Sequence, residues 1–382
     1  MDSARSNLGG LESFRTHKVL KNGSALVLRL DTDDGPIVCK MAHANNALLE
    51  REAARIQLLR ARYPLHAERI PALLGQGVIG GGLHRDKTYY LQEFVEGRSL
   101  ADYLQSDDTA PDEARRTIST VVASLLDMLA EQTLDASQDG RSGTWMQQYI
   151  GEAFNRLLSL EHIGYLGSVD ELVINGRACR SLRRCLDEIF ASKAFQRLNE
   201  GASTISVLGH WNFHSENILL PANGSIGGFK AIDPDVRIEV SDPLFGLARL
   251  FYSYAHDTSD DGRYIVETDA LLPNALSFSH FDIAYTWPKY VTANYRPLRT
   301  GLAGGGTYDP AALDPRLGDA IVAARLDLSF LLCLLRGVAL NHDTEFTVLD
   351  ASLRTFRNRS VLLYLTAVDF ANTVAERFRA SA

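Results

Sequence analysis

Residues 208–220 read LGHWNFHSENILL, a polar loop running into an apolar strand start, and Asp233 follows sixteen residues after Asn217 in AIDPD. Asn217 and Asp233 offer hard oxygen donors. From neighbouring hairpin strands they could hold Mg²⁺, which takes one or two protein groups and completes its shell with phosphate oxygens and water. Each also has an ordinary use, an Asx-turn at Asn217 and a turn-forming Asp-Pro at 233–234. A second pair lies far upstream. Lys40 sits in the apolar stretch IVCKM, and Glu52 lies four residues after Leu48 and four before Ile56, on the apolar face of a helical segment. Burying an unpaired charge is costly, so these two are expected to meet. A strand lysine steadied by a helix glutamate can aim its ammonium at nucleotide phosphates. The ordinary alternative is a snorkelling Lys40 and a Glu52 that marks the edge of the face. Glu50, on the opposite side of that helix, is the weaker partner.

These residues need elements to position them. HKVLKNGSALVLRLDTDDGPIVCKM contains apolar runs split by KNGS and DTDDGP, which are turn sequences, so it reads as antiparallel strands. NALLEREAARIQLLRARY has helical periodicity, with Leu48, Ile56, Leu59 and Tyr63 on one face. RIPALLGQGVIGGG and KTYYLQEFVEG add two strands, and Gly97 closes the unit, a helix on a small antiparallel sheet. From Ser99 onward the pattern is helical: 99–105, 110–133, 144–160, 180–198, 319–340 and 352–378. A strand-rich island at 205–240 interrupts it, and QDGRSG and RTGLAGGGTYDP read as Gly-rich loops.

Composition sets outer limits. The 382 residues suffice for two domains, and 46% hydrophobic with 23% charged residues is ordinary for a globular chain with a real core. A formal charge of −8 argues against nucleic acid as partner. A mild acidic excess is compatible with a cationic substrate. The four cysteines form no C-x-x-C pair and no metal spacing, so buried free thiols in a reducing compartment are expected. The N-terminus has no apolar h-region, and LSFLLCLL at 328–335 is too short to span a bilayer. The expected location is cytoplasmic, with no membrane partner.

On these residues the chain resembles the aminoglycoside phosphotransferase and choline kinase family, the small-molecule branch of the protein-kinase-like fold. That family's loop reads H-G-D-x-H-x-x-N, followed by I-D and then G-D-P-x-x-D-L-A. Here stand His210, Trp211, Asn212, His214 and Asn217, then Ile232-Asp233, then SDPLFGLA at 241–248. With Lys40, Glu52 and a hinge at QEFVEG (92–97), the likeness runs through most of the chain. It implies an α+β, two-lobed protein-kinase-like fold. The N-lobe would be 1–97, a small antiparallel sheet with one helix. The C-lobe would be 98–382, large and mostly helical, with the catalytic and metal-binding island at 205–245.

The resemblance further implies a kinase that transfers phosphate from ATP (or GTP) with Mg²⁺ to a hydroxyl of a small molecule, an aminoglycoside-like antibiotic or another natural product. Lys40, backed by Glu52, would contact the phosphates. The LKNGSAL turn would lie over them, with Gly23 relieving steric demand. Glu93, Phe94 and Val95 would offer main-chain groups to adenine, and Asn217 and Asp233 would hold the metal. Asn212 and His210 are the catalytic-loop candidates, His210 as a brace and Asp242 as a structural acceptor. Polar lining for the acceptor is expected from Asp257, Asp260, Asp261, Tyr285 and Trp287, with oligomeric state left open.

Three departures matter. Trp211 stands where the family has glycine, and Gly246 stands where it has its last aspartate. Asn212 stands where the family's aspartate accepts the hydroxyl proton, a service worth roughly 10²–10⁴-fold. Phosphoryl transfer rests mainly on positioning and charge neutralisation. The site is therefore expected to be impaired rather than absent. Asn212 has three readings: an aspartate-to-asparagine substitution, a site in which Asp235 or Glu216 takes the proton, or an inactive pseudokinase that binds nucleotide or a partner.

Overall fold

The computed structural model describes residues 17–380 apart from 24, 44–45, 80–85, 135–141, 201–204, 223–225, 261, 269–279, 299–308, 342–346 and 350–354. The Gly-rich loop at 299–308 and Asp261 thus lie outside the described residues, as does most of QDGRSG.

Strands β1 (His17–Asn22), β2 (Ala25–Thr32) and β3 (Gly35–Ala42) form an antiparallel meander joined by the tight turns expected from KNGS and DTDDGP. Helix α1 (Asn46–Arg62) and the short α2 (Pro64–Arg69) follow, then β4 (Leu73–Val78) and β5 (Thr88–Glu93). The five strands pair in the order β1-β2-β3-β5-β4. Leu49, Ala53, Ile56 and Leu59 of α1 bury together with Ala42 and Tyr90 of the sheet. That burial fixes α1 on the sheet and sets Glu52 inward, opposite β3.

β6 (Gly97–Ser99) leaves this sheet and pairs with the island instead. Helices α3 (Leu100–Gln105), α4 (Pro111–Leu134), α5 (Ser142–Leu158) and α6 (Glu161–Ser168) follow, then β7 (Glu171–Ile174), β8 (Arg177–Arg180), α7 (Leu182–Ala191) and α8 (Lys193–Glu200). The island contributes β9 (Ile218–Pro221) and β10 (Lys230–Ala231), in a three-stranded sheet ordered β10-β9-β6. Then come α9 (Leu244–Thr258), β11 (Tyr264–Thr268), β12 (His280–Tyr285), α10 (Lys289–Asn294), α11 (Ala320–Leu340), β13 (Thr347–Val348), β14 (Thr355–Arg357) and α12 (Arg359–Ala380). The core is helical: α11 packs against α5, α9 and α12, with Phe330 meeting Phe370 edge to face at 4.7 Å.

The structure corrects the helical reading of this half in three places. Residues 171–180 form a hairpin, turning at Asn175 (φ 50°) and Gly176 (φ 74°), the two left-handed positions that an Asn-Gly turn provides. The 255–310 stretch, inside the half read as mostly helical, holds β11 and β12. The last helix begins at Arg359, and Thr355–Arg357 is a short strand lying between β11 and β13. Together these strands make a six-stranded sheet, β13-β14-β11-β12-β7-β8. No described helix is long and apolar enough to cross a membrane. All four cysteines are buried and free.

Candidate active site

Lys40 projects from β3 toward α1, while Cys39 and Met41 on either side of it are buried on the opposite face of the sheet, and its Nζ lies 2.7 Å from Glu52 Oε1. The same ammonium also pairs with Asp233 Oδ1. Tyr90 OH donates to Glu52 Oε1 at 2.5 Å, so the buried carboxylate is held from two sides. Burial raises the Glu52 carboxyl above its ordinary value and outweighs the opposing pull of Lys40. Burial alone would lower the Lys40 ammonium, but the Glu52 and Asp233 carboxylates reverse this and raise it. Burial would likewise raise Asp233, but Lys40 holds it below the ordinary carboxylate range. The three groups form one hydrogen-bonded chain from helix to strand to island.

Asn217 and Asp233 are brought side by side by the β9–β10 hairpin. Ile232 N–H donates to the Asn217 carbonyl at 2.9 Å, and Ile218 pairs with Ala231. Asn217 Nδ2 donates to the Asn212 carbonyl at 3.1 Å, and no described residue donates to its Oδ1. Asp233 spends one carboxylate oxygen on Lys40 and keeps the other. An amide oxygen and a carboxylate oxygen on adjacent strands form the hard, incomplete donor set that suits Mg²⁺ carrying phosphate and water ligands. The residues present therefore fit such an ion.

The loop before Asn217 is strained. Trp211 has φ 52° and is fully buried, and Asp233 has φ 60°. For a bulky side chain the left-handed region is an outlier that the surroundings must hold in place. Arg55 of α1 supplies part of that hold. Its guanidinium lies 4.9 Å from the Trp211 ring and donates to the Asp235 and Ile238 carbonyls, each at 2.8 Å. Gly209 supplies the rest: a Cβ there would collide with the indole. His210 is buried, stacks on Phe213 at 4.4 Å, and accepts from Asn212 N–H at 3.4 Å through Nδ1. Burial lowers its pKa to about 3, so the ring is neutral.

Asn212 is satisfied at both ends of its amide. Nδ2 donates to the Asp233 carbonyl at 2.7 Å, and Oδ1 accepts from Arg249 Nη2 at 3.1 Å. Asp242 accepts from Arg325 at 2.7 and 2.9 Å and from Leu244 N–H at 2.8 Å. It ties the start of α9 to α11. Gly246 leaves room for the Phe213 ring, 3.0 Å from where its Cβ would sit.

A cavity of about 580 Å³ opens at this point, lined by Lys40, Glu52, Asn212, Asp233 and Asp235 together with residues of later helices. Several sequence candidates lie elsewhere. Glu93 N–H is taken by the Ala72 carbonyl at 2.9 Å, and Phe94 packs under Arg29; neither they nor Val95 line the cavity. Gly23 also lies off it, and a Cβ there would meet only Lys21 Cε at 3.9 Å, so the turn makes no steric demand for glycine. Asp257 is buried beneath the loop, accepting from Ser215 Oγ at 2.9 Å and Tyr295 OH at 2.8 Å. Asp260, Tyr285 and Trp287 do not line the cavity either. Of the two alternative proton acceptors, Asp235 lines it, whereas Glu216 pairs with Lys21 at 3.3 Å away from it.

Sequence reasoning missed the arginines. Arg249 and Arg336 line the cavity with Arg156 and Arg237. The signal was present: Arg249 interrupts a helix buried on all sides, and Arg336 ends the LSFLLCLL run.

No protein-family model matches the sequence, and a search of curated proteins finds no match. Solved structures do match. A candidate aminoglycoside phosphotransferase from Ralstonia eutropha superimposes at a TM-score of 0.50 and 13% identity, over 96% of this chain and 92% of that one. Aminoglycoside phosphotransferase APH(4)-Ia gives 0.47 and 12% over 97% and 95%, and a Plasmodium vivax ethanolamine kinase gives 0.43 and 11% over 96% and 84%. At 13% identity the first likeness is one of fold, and this chain carries the two-lobed fold of the aminoglycoside phosphotransferases.

Proposed function

We propose that the protein is a phosphotransferase that uses ATP or GTP with Mg²⁺ to phosphorylate a hydroxyl of a small molecule. The observation that carries this reading is the Glu52–Lys40–Asp233 chain lining the cavity. An ammonium held between two carboxylates from different elements is costly to assemble, and a phosphate that must be gripped gives it a use. Asn217 and Asp233 would hold the metal, which when bound neutralises phosphate charge. Lys40 would contact the nucleotide phosphates with its remaining proton, and Asn212 would orient the acceptor hydroxyl. As the acceptor oxygen bonds to phosphorus, the bond from phosphorus to the leaving nucleoside diphosphate breaks. The hydroxyl proton then passes through the phosphoryl oxygens to water, because an amide takes none.

Calorimetric titration with Mg·ATP tests the reading. Binding by the native chain, weakened about tenfold or more in both Lys40→Met and Asp233→Asn, is the expected result, since each variant removes one charged partner of the phosphates or metal. Failure of the native chain to bind either Mg·ATP or Mg·GTP would overturn it.

One observation favours a second reading, a pseudokinase. Both ends of the Asn212 amide are engaged by the protein, so nothing at that position is poised to act as a base. Nucleotide binding without release of diphosphate for any hydroxyl compound would favour this second reading.

A further inference from the structure

The cavity that Asn212 lines also gathers four guanidinium groups. Arg156 comes from α5, Arg249 from α9, Arg336 from α11, and Arg237 from the segment after Asp233. Four separate segments converge on one space. None of the four makes an ion pair with a carboxylate among the described residues. Arg249 spends one nitrogen on Asn212 Oδ1, and its buried Nε has no hydrogen-bond partner. The cavity holds three carboxylates, and Glu52 and Asp233 are both occupied by Lys40. That leaves Asp235 facing four guanidiniums, and one of its oxygens already accepts from Arg237 N–H at 3.0 Å. His214, also in the wall, is neutral.

Such an arrangement opposes folding. Arg336 is flanked by the buried Leu335 and Gly337, and Arg249 by the buried Ala248 and Leu250. Arg249 and Arg336 are partly drawn from water beside the exposed Arg156 and Arg237, with one carboxylate among the four, an arrangement that an added anion relieves. Planar guanidiniums bind carboxylate and phosphate in pairs of parallel bonds, which is the use that best suits the cluster.

The cluster also has a far side. A second cavity of about 300 Å³ shares Arg156, Arg237 and Arg336 with the first, and on it Trp145 and Tyr149 stack at 4.7 Å. Its two carboxylates are engaged: Glu239 pairs with Arg51 at 3.1 Å, and Glu152 accepts from Gln148 at 3.0 Å. The path from Asn212 thus runs through arginines to a flat aromatic surface.

We infer that the acceptor is an anion: a small molecule carrying both the hydroxyl presented at Asn212 and a carboxylate or phosphate held by Arg156, Arg237 and Arg336. The inference rests on the phosphotransferase reading for the hydroxyl but not for the anion site. It runs against a polycationic acceptor, which would meet the guanidiniums with like charge.

The test uses the full chain in two arms at fixed ionic strength. In the first, melting temperature is followed with citrate and with inorganic phosphate against chloride, for the native protein and for Arg156→Ala and Arg336→Met. Arg156 is exposed, so its variant keeps the fold even if Arg336→Met does not. Citrate or phosphate should raise the native melting temperature, with the rise lost or halved in Arg156→Ala. In the second, diphosphate release from Mg·ATP is compared among gluconate, glucose 6-phosphate, glucose and glucosamine, and Mg·ATP affinity is measured beside it. An anionic acceptor should be preferred over its neutral and cationic counterparts about tenfold or more, the size of one charge-assisted pair. That preference should shrink in Arg156→Ala while nucleotide affinity holds. The inference is overturned if neither anion stabilises the native chain, if glucosamine is preferred, or if Arg156→Ala loses nucleotide instead, which would make the cluster a nucleotide site. Anion binding that survives without any nucleotide binding would sink the phosphotransferase reading and leave the anion site standing.

Discussion

At the scale of single residues, Asn212 is the position where chemistry and structure pull apart. An aspartate there would gain a base but lose the donor that now meets the Asp233 carbonyl at 2.7 Å, setting oxygen against oxygen. Arg249, 3.1 Å from Oδ1, would hold the new carboxylate ionised and weaken it as a base. Asn212→Asp is therefore expected to raise diphosphate release with a true acceptor by about 10²-fold, the low end of what general-base catalysis supplies. Mg·ATP affinity should stay within about threefold, because the phosphate and metal ligands are untouched. Unchanged turnover with an acceptor that both proteins bind would mean that position 212 does not face the hydroxyl.

At the scale of elements, the island is held in shape by α1. Arg55 caps the carbonyls at 235 and 238 and covers the Trp211 ring, while Arg51 donates to the Val236 carbonyl at 2.7 Å. One helix thus carries Glu52 on its inner face and two arginines that lock the loop bearing Asp233. Trp211→Gly separates strain from packing at this joint. Glycine would relieve the φ of 52°, worth about 1–3 kcal/mol. It would also empty a fully buried indole site, where Trp→Ala losses run about 3–5 kcal/mol. Net destabilisation is expected, read as a lower urea midpoint, and a more stable variant would mean that strain outweighs packing here. These elements differed in how legible they were. Lys40 and Glu52 stood out because charges on apolar faces need partners, and the helices showed because their apolar period is long. The 171–180 hairpin did not, because its strands are four residues each and alternate too briefly to outweigh the helical stretches around them; the Asn-Gly pair was its only signal. Arg249 and Arg336 stood out singly as charges on apolar segments, but their convergence with Arg156 and Arg237 did not, because only tertiary packing makes positions 156 to 336 neighbours.

At the scale of the whole molecule, net charge is a poor guide to the site. The chain carries −8, yet the cavity beside Lys40 gathers four guanidiniums. The same lobe junction holds neutral histidines that couple stability to pH. His66 of α2 is fully buried, with Nδ1 3.2 Å from Glu131 Oε2 on α4, and burial lowers it to about 4 although Glu131 opposes this. Burial lowers His210 and His214 to about 3 each, with neighbouring charges adding to the effect. In the unfolded chain each titrates near 6.5. Between about pH 6.5 and 4 the unfolded chain therefore binds more protons at these three positions, and stability must fall as pH falls. Each such proton is worth up to about 1.4 kcal/mol per pH unit. Glu52 and Asp369, whose carboxyls burial raises, act in the opposite sense just above their ordinary values and flatten the lower end of the window. Urea unfolding at pH 6.5, 6.0, 5.5 and 5.0 should give a steadily smaller free energy, and His210→Gln should lessen that slope by about one proton. Because His66 joins the N-terminal half to α4 and His210 props the island, acid should loosen the seam between the lobes before it melts the α11–α12 core. Hydrogen exchange at pH 5 should accordingly rise first in α2 and the 208–217 loop, and uniform exchange across both lobes would show that the histidines do not govern the seam.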